Sequence, residues 1–493
     1  MRAPPGNGTK GPGRVPAAPV ILGHMSALPR CPTPTVFVLY GATGDLARRM
    51  VLPALFRLAQ QDLLPADWRL IGNGRGEVGD EQFRLQVQQA LEEFGPRPGE
   101  GPWQDFRSRL RFAGGGFAPD DPGRLPEVLG EAERELGGAP QRVHYLAVPP
   151  LAFASLTTAL GRYGLAERSR VVYEKPFGTS VESFRALDRC VHAVLDETQV
   201  FRIDHFLGKE ATQDLHVVRF ANGMFSGLWN RAHVAEVQID VPETLGVATR
   251  GSFYDATGAV LDMLVTHLFQ VAAEVAMEPP AGFGAEQLAA AREEVIGSFR
   301  PLRRQDVVLG QFEGYRDIDG VADDSCTETF VAARLRVDTD RWAGVPFLLR
   351  TGKRLAQSRQ QVSLVIRPPE APVHALPPVG NVVTFDLAGS GGLRLALVVK
   401  TPGPELTLST AHSELRLATA PAAAPLPPYA RLIHDVLLGD RSLFTRPDGL
   451  EHVWKVAEQL LSDKPAPLSY PTNSWGPREA EDLARPTGWL LGG

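Results

Sequence analysis

One short segment, from Arg202 to Lys209, contains an acid, an imidazole and an ammonium group, which together could bind an anion and orient a second group. Asp204 and His205 are adjacent, and Lys209 follows His205 by four residues. On a helix, residues four apart share a face, so His205 and Lys209 would bind one anion while Asp204 faces a different group. The simpler alternative is that Asp204 caps a helix whose solvated face carries the two cations. The segment is therefore a candidate phosphate site.

A second segment is typical of nucleotide binding. The apolar run Thr35 to Tyr40 predicts a buried strand that leads directly into a turn with two glycines. Such a turn lets a pyrophosphate approach the backbone N–H groups at the start of a helix, where the helix dipole favours negative charge. The pattern alone does not separate a binding turn from an ordinary glycine turn. The candidate cofactor-binding residues here are Gly41, Ala42, Thr43, Gly44, Asp45, Leu46, Ala47 and Arg48.

The next predicted elements favour one nicotinamide cofactor over the other. A helix from about Leu46 to Gln61 leads to a strand at Arg69 to Gly72, and Arg75 follows the tip of that strand. An acidic residue there would select the free ribose hydroxyl of NAD, whereas an arginine accommodates the 2′-phosphate of NADP. Arg75 therefore predicts NADP, although the nearby Glu77 argues in the opposite direction.

Two further strands are predicted at Val143 to Val148 and at Arg170 to Tyr173, and both end near prolines. Ligands of open α/β sheets bind outside the carboxyl ends of the strands. Tyr145 and Lys175 are therefore expected to face the cofactor or the substrate. For Lys175 taken alone, a surface loop lysine is the simpler interpretation.

The third chemical segment, Leu261 to Gln270, is apolar except for a few polar residues that include Asp262 and His267. These two are five residues apart, about 140° around a helix, so they share a site only if it wraps one helix end or a loop intervenes. An imidazole, with an ordinary pKa near 6.5, is a suitable general base near neutral pH. The alternative is a core histidine with one satisfied hydrogen bond.

Taken together, these segments resemble the glucose-6-phosphate 1-dehydrogenase family, from about Pro34 to Pro486. The part around Asp204 and His205 is the most specific. The motifs that carry the resemblance are Gly41 to Ala47, Tyr145 to Pro150, Glu174 to Gly178, Arg202 to Glu210, Asp262 to His267, Trp342 to Phe347, Arg350 to Lys353 and Ser474 to Pro477.

The resemblance implies oxidation of D-glucose 6-phosphate to 6-phospho-D-glucono-1,5-lactone with hydride transfer to NADP, the first step of the oxidative pentose phosphate pathway, without a metal. It implies that His267 is the general base and that Asp204 orients it. It places Lys175 between the sugar and the nicotinamide, with Pro176 as a candidate cis-proline. The substrate-binding residues that it implies are Lys175, His205, Lys209, Glu243, Asp262 and Lys353.

Several positions depart from the family pattern. Phe206 replaces a tyrosine, and Ser358 stands where an arginine is common, with Arg359 beside it. Val265 and Thr266 replace an amide pair, and the run from Ala248 to Ser252 is a diverged glycine-rich loop. These departures leave open a dehydrogenase of another hexose 6-phosphate. A non-catalytic NADP-binding regulatory protein is the alternative from a different functional class.

Composition is that of an ordinary globular protein, with 493 residues, 43% hydrophobic and 22% charged. A net charge of −6 argues against nucleic acid. Three widely spaced cysteines, Cys31, Cys190 and Cys326, form no metal or disulfide pattern, which suits a reducing cytoplasm. Apolar runs are expected to be too short to span a membrane.

The predicted fold class is α/β plus α+β. Residues 1–33 are rich in Pro and Gly and predict a disordered leader, with Met25 as an alternative start. Residues 34–205 predict a Rossmann-like NADP-binding domain. Residues 206–493 predict a larger substrate-binding domain, whose mainly antiparallel sheet is covered by helices. By resemblance, that sheet builds the interface of a homodimer or homotetramer.

Overall fold

The computed structural model describes residues 33–97, 99–247, 250–282, 284–370, 380–389, 391–419 and 425–492. Two regions with sequence predictions fall wholly or partly outside these ranges. They are the leader up to residue 32, with Met25 and Cys31, and positions 248 and 249 of the diverged loop.

The strands form two sheets. In chain order they are β1 Thr35–Tyr40, β2 Trp68–Asn73, β3 Leu110–Ala113, β4 Gln141–Leu146, β5 Ser169–Tyr173, β6 Val200–Ile203, β7 Val234–Pro242, β8 Val307–Phe312, β9 Phe330–Arg336, β10 Pro346–Gly352, β11 Gln361–Ile366, β12 Val382–Asp386, β13 Gly392–Lys400, β14 Leu408–Arg416, β15 Phe444–Thr445 and β16 Leu468–Tyr470.

The α-helices are α1 Leu52–Gln60, α2 Asp80–Phe94, α3 Glu100–Ser108, α4 Leu125–Glu135, α5 Phe153–Arg162, α6 Val181–His192, α7 Glu210–Ala221, α8 Gly223–Ser226, α9 Gly251–Ala259, α10 Phe269–Ala276, α11 Ala285–Ile296, α12 Pro428–Leu438, α13 Pro447–Ser462 and α14 Glu479–Leu483. Two π-helical segments, Ala47–Val51 and Val260–Leu268, run directly into α1 and α10.

The first sheet has the strand order β3-β2-β1-β4-β5-β6-β15 and is parallel except for β15. Both faces are covered. Val36 and Val38 of β1 join one apolar core, while Phe37 and Leu39 join another on the opposite face. Burial on both faces explains why β1 is apolar at every position rather than alternating. The predicted Rossmann-like domain is confirmed.

The second sheet has the order β14-β13-β12-β11-β7-β10-β9-β8-β16. Its pairs are antiparallel except β7 with β10 and β8 with β16. Phe347 and Leu349 of β10 join the helix-covered core, whereas Leu348 joins a smaller core with Leu483 and Trp489 from the C-terminal segment. The predicted, mainly antiparallel sheet with helices is confirmed.

The C-terminal part of the chain also returns to the first sheet. Residues of α12, including Leu432 and Ile433, lie in the same core as Phe37 and Leu39. Phe444 of β15 pairs with Ile203 at the edge of the sheet. The first sheet is thus completed by residues more than 200 positions further along the chain, which no local sequence pattern indicates.

The helical run Gly251–Ala276 is 26 residues long and apolar, so it reaches the length and composition of a membrane span. The expectation that apolar runs are too short is wrong for this segment. Its most apolar stretch is, however, 89% buried inside the protein, which makes it the central core helix of the second domain. It is interrupted at Gly258, whose φ is +66° and where a Cβ would lie 2.4 Å from a carboxylate oxygen of Glu328.

Candidate active site

The centre of the site is a buried pair formed by His267 and Asp204. The Nδ1 atom of His267 lies 2.6 Å from Oδ1 of Asp204, and the two residues are 0% and 3% exposed. His267 comes from the π-helical segment of the central helix, and Asp204 directly follows β6 of the first sheet. The pair therefore joins the two domains, although its members are 63 residues apart in sequence.

Asp204 is positioned by a turn and not by a helix. Residues 205–208 form the turn, and α7 begins only at Glu210. The backbone N–H of Phe206 donates a 2.8 Å hydrogen bond to Oδ1 of Asp204, the typical side-chain stabilisation of such a turn. The helical stripe predicted for His205 and Lys209 is therefore wrong. The turn nevertheless brings the ring of His205 to 4.5 Å from that of His267.

Asp262 joins the site because its helical segment is not α-helical. In a π-helix the hydrogen bonds run from residue i to residue i+5, so residues five apart lie about one turn apart. This removes the 140° separation that an α-helix would impose on Asp262 and His267. Lys175 donates from Nζ to the carbonyl of Asp262 at 2.9 Å and to its Oδ1 at 3.0 Å. An ion pair between Lys353 and Glu243 completes this side of the site.

Burial and neighbouring charge set the protonation of these groups. Burial raises the pKa of Asp204 to about 6. Burial lowers the pKa of His267 well below its usual value, and Lys175 reinforces the effect. Although burial opposes it, the Lys175 and Lys353 ammonium groups hold the pKa of Asp262 at about 2. At neutral pH, His267 is therefore neutral with Nδ1–H donating to an ionised Asp204, which leaves Nε2 as a proton acceptor.

Lys209 and His205 form the basic side of the site. Burial lowers the pKa of Lys209 to about 8, against the opposing effect of Asp204, Glu243 and Asp386. Lys209 donates to the side-chain oxygen of Gln360, and its Nζ lies 3.5 Å from the centre of the Phe206 ring. The arrangement places a mostly protonated ammonium group beside a partly buried imidazole.

Tyr145 lies in a buried network behind Lys175. The Tyr145 hydroxyl donates a 2.6 Å hydrogen bond to Glu174, and the Tyr429 hydroxyl bonds the same carboxylate. Tyr429 in turn stacks on the ring of His205. Glu174 and Tyr429 were not assigned a role from the sequence, although Glu174 stands directly before Lys175.

Three polar atoms in the centre of the site are buried and have no hydrogen-bond partner among the described residues: Oδ2 of Asp204, Nε2 of His267 and the hydroxyl of Tyr254. Burial raises the pKa of Tyr254, as do the charges of Asp262 and Glu243 close by. Buried polar groups are almost always satisfied, so these unpaired atoms fit a polar ligand. Tyr254 was missed because the diverged loop before it gave no usable pattern.

A separate cleft of about 530 Å³ lies at the carboxyl end of the first sheet and fits the predicted dinucleotide. It is lined by Tyr40, Gly41, Thr43, Gly44, Asn73, Gly74, Arg75, Gly116, Phe117, Ala147, Val148, Pro149, Ala152, Ser155 and Leu156. Gly41 has a φ of +70°, and a Cβ there would lie 2.4 Å from the carbonyl oxygen of Ala147. Only glycine fits this turn, which leaves its backbone accessible to a phosphate.

The remaining residues of the predicted turn do not line this cleft. Ala42 and Ala47 are buried in the packing between strand and helix. Asp45 pairs with Arg49 at 2.6 Å, and Arg48 pairs with Glu93 at 3.3 Å on the surface.

Arg75, by contrast, lines the cleft and has no ion pair or hydrogen bond within the described part of the chain. The carboxylate of Glu77 packs against Gly114, so that a Cβ on Gly114 would lie 2.8 Å from it. Arg75, and not Glu77, therefore faces the cleft at the tip of β2.

Two of the departures from the family pattern, Phe206 and Ser358, have defined neighbours in the structure. Phe206 packs 4.7 Å from the ring of His267. The Ser358 hydroxyl accepts a 2.9 Å hydrogen bond from the backbone N–H of Thr244, next to Glu243. Arg359 lies 3.7 Å from Asp386, one of the acidic groups near Lys209.

A parallel dinucleotide-binding sheet, a glycine-lined cleft and a buried His–Asp pair at the junction with a second domain together define a nicotinamide-dependent dehydrogenase. Residues 38–214 match the family model described as glucose-6-phosphate dehydrogenase, NAD binding domain. Residues 216–490 match the model of the glucose-6-phosphate dehydrogenase C-terminal domain. The chain belongs to the glucose-6-phosphate dehydrogenase family, a family of NADP-dependent oxidoreductases, and the resemblance seen in the sequence is confirmed.

Individual relatives agree over nearly the whole length. The chain is 37% identical to glucose-6-phosphate 1-dehydrogenase 2 of Mycobacterium tuberculosis, over 94% of this chain and 95% of that protein. The crystal structure of glucose-6-phosphate 1-dehydrogenase from Mycobacterium avium superposes with a TM-score of 0.84 at 35% identity, covering 93% and 98% of the two chains. A glucose-6-phosphate dehydrogenase in complex with its substrate glucose 6-phosphate gives a TM-score of 0.87 at 29% identity, covering 94% and 99%.

Proposed function

We propose that this protein oxidises D-glucose 6-phosphate to 6-phospho-D-glucono-1,5-lactone, with His267 as the general base. The observation that carries the proposal is the 2.6 Å contact between Nδ1 of His267 and Asp204, which leaves the unpaired Nε2 as the acceptor. Nε2 takes the proton of the C1 hydroxyl. Asp204 fixes the tautomer and stabilises the imidazolium that forms.

The substrate is held by groups on both sides of this base. Lys209 and His205 bind the 6-phosphate, remote from C1, and so orient the sugar. Asp262 and Glu243 accept hydrogen bonds from sugar hydroxyls, and the ion pairs with Lys175 and Lys353 hold the two carboxylates in place. The Tyr254 hydroxyl, buried and unpaired, gives a further polar contact in the same space.

The cleft at Gly41 would hold NADP. The backbone N–H group of Thr43 would receive the pyrophosphate, since that of Gly44 donates to the carbonyl of Gly41 within the turn, and Arg75 would receive the 2′-phosphate. NADP, when bound, accepts the hydride that leaves C1. Lys175 follows β5, donates to Asp262 and would position the sugar relative to the nicotinamide.

A dehydrogenase of another hexose 6-phosphate is the second candidate. It is favoured by one observation, the phenyl ring of Phe206 between His267 and Lys209, where the family has a tyrosine hydroxyl. Loss of that hydroxyl removes about one hydrogen bond to a charged acceptor, roughly 1 to 3 kcal/mol.

We also propose a cytoplasmic homodimer or homotetramer in which the dinucleotide domain ends near residue 205. The outer strands of the second sheet expose Leu397, Val399 and Leu415, a pattern that suits a subunit interface. No metal is proposed, although donor atoms of Asp204, His205 and His267 lie within 4.8 Å of one another. Full activity after dialysis against a chelator is the expected result.

The direct test is absorbance at 340 nm with purified protein, glucose 6-phosphate and either NADP or NAD, with unphosphorylated glucose as the control. Reduction of NADP that depends on the phosphate is expected. A higher kcat/KM for galactose 6-phosphate or glucosamine 6-phosphate than for glucose 6-phosphate would favour the second candidate. Absence of turnover with every sugar would point to the regulatory protein.

A further inference from the structure

A second large cleft lies at the end of the second sheet opposite to Lys353. Strand β10 starts at Pro346 in the wall of this cleft and ends at Gly352, directly before Lys353. Seven residues of strand span about 20 Å, so the cleft is remote from the proposed substrate site. It encloses about 880 Å³.

The lining is strongly basic. Five arginines face it from three parts of the chain, against two acids, Glu236 and Asp338. The protein as a whole carries a net charge of −6, so this concentration of positive charge is local. A concave surface lined by one sign of charge concentrates ligands of the opposite sign. The arginines are Arg300, Arg303, Arg334, Arg336 and Arg485.

Internal ion pairs neutralise only part of this charge. Arg336 binds Asp306 through two hydrogen bonds of 2.8 and 3.2 Å, and Arg300 pairs with Asp338. Arg303, however, is exposed, and its side chain has no hydrogen bond or ion pair within the described ranges.

The other two arginines are also available to a ligand. Arg334 donates to the carbonyl of Leu483, at the end of α14, and not to a carboxylate. The side chains of Arg485 and Asp482 form an ion pair, and both are exposed. Ion pairs between exposed side chains contribute little free energy, so Arg485 can exchange its partner for a ligand.

We propose that this cleft binds a phosphorylated small molecule with at least two phosphate groups. Guanidinium groups bind phosphate oxygens in pairs, and arginine is the residue best suited to this geometry. The volume is in the range of small-molecule sites and exceeds what a single phosphate requires. Val337, Val345, Pro346 and Leu483 provide an apolar part of the wall for the uncharged portion of such a ligand.

The segment Trp342 to Phe347 is one of the motifs shared with the family, but it has no part in the proposed reaction. Its role in this proposal is to line the second cleft. Its residues Ala343 to Pro346 form one wall of the cleft, and Gly344 has a φ of +85° with open space around it. The indole of Trp342 donates a 2.8 Å hydrogen bond to the carbonyl of Ala276 and fixes this turn on the central helix. The cleft is thus built on rigid elements.

Calorimetric titration of the full-length protein with inorganic pyrophosphate, and separately with ATP, tests the proposal. Saturating glucose 6-phosphate is present throughout so that the sugar site is occupied, and NADPH is left out because its own phosphates would compete for the proposed cleft. Binding of at least one probe is expected, and it should weaken about tenfold or more in Arg303→Glu and in Arg485→Glu. The matched control is Arg304→Glu, because Arg304 is the neighbour of Arg303, is exposed and pairs with Asp463 outside the cleft.

Two results would overturn the proposal. One is the absence of binding of both probes at millimolar concentration. The other is equal weakening by Arg304→Glu, which would mean attraction to general surface charge only. Thermal unfolding of each variant verifies folding, and because the readout is binding, the result is independent of whether the proposed dehydrogenase activity is found.

Discussion

The hydroxyl of Tyr145 donates a 2.6 Å hydrogen bond to the buried carboxylate of Glu174, the residue immediately before Lys175. Burial raises the pKa of Glu174, while the Tyr145 hydroxyl and the neighbouring Lys175 ammonium group favour its ionised form. Tyr429 bonds the same carboxylate and stacks on His205. One buried acid therefore connects Lys175, through Tyr429, to the imidazole of His205, and both of these residues are proposed to hold the substrate.

Tyr145→Phe is expected to destabilise the protein by about 1 to 3 kcal/mol, because it leaves a buried carboxylate short of one donor. The midpoint of urea unfolding measures this. Tyr163→Phe is the control, since its hydroxyl bonds only the carbonyl of Pro119 at 2.9 Å in a half-buried position. An equal loss of stability in both variants would show that the bond to Glu174 contributes no more than an ordinary half-buried hydrogen bond.

His267→Asn is expected to lower kcat by at least about 10² to 10⁴, the usual contribution of a general base. Binding of NADPH, followed by its fluorescence, should change little because His267 does not line the cofactor cleft. His452→Asn is the control, as its imidazole bonds only the carbonyl of Phe299. An unchanged kcat would exclude His267 from the mechanism.

Much of this architecture was predictable because it is local. Thr35 to Tyr40 is a strand in the structure with the bounds that its apolar run predicts, and Gly41 follows it with the positive φ that the turn requires. Pro53 lies inside the helix predicted from Leu46 to Gln61, where a proline would normally break the helix. It is tolerated because the preceding turn is π-helical and α1 begins only at Leu52, so Pro53 stands in the first turn of α1.

Other features depend on tertiary contacts and were not predictable from periodicity. The π-helical turns that bring Asp262 towards His267 leave no signature in the spacing of apolar residues. The position of Tyr145 is set by Glu174 and Tyr429, and Tyr429 lies almost 300 residues further along the chain. The spacing of residues in the sequence therefore identified the candidate site residues, whereas the residues that contact and position them were seen only in the structure.

Lys209→Arg tests the phosphate contact through its pH dependence. The pKa of Lys209 is lowered by burial to about 8, with Asp204, Glu243 and Asp386 opposing the shift and Phe206 and Gln360 as its uncharged neighbours. The protonated form binds the dianion, so kcat/KM for glucose 6-phosphate should fall as pH rises through about 8. An arginine stays protonated there, and the fall should move to higher pH. Identical pH profiles in both proteins would contradict this assignment.

Arg75→Ala is expected to raise KM for NADP by about tenfold to a hundredfold, the effect of losing a charge-assisted contact with the 2′-phosphate. KM for NAD should change much less, because NAD lacks that phosphate. Arg49→Ala is the matched control, since Arg49 pairs with Asp45 on the exposed side of the helix. Equal increases of KM for the two cofactors would refute the role of Arg75.

Phe206→Tyr is expected to restore a hydroxyl between His267 and Lys209 and to lower KM for glucose 6-phosphate. The ring already lies 4.7 Å from that of His267, so the substitution adds one donor without moving the base. A gain of about 1 to 3 kcal/mol for a bond to a charged acceptor corresponds to roughly fivefold or more in KM, with kcat nearly constant. Steady-state kinetics with glucose, galactose and glucosamine 6-phosphates measures it. If KM fell for another hexose phosphate and not for glucose 6-phosphate, the pocket would be shaped for that other sugar, because the added hydroxyl would be meeting the phosphate of a differently seated ring.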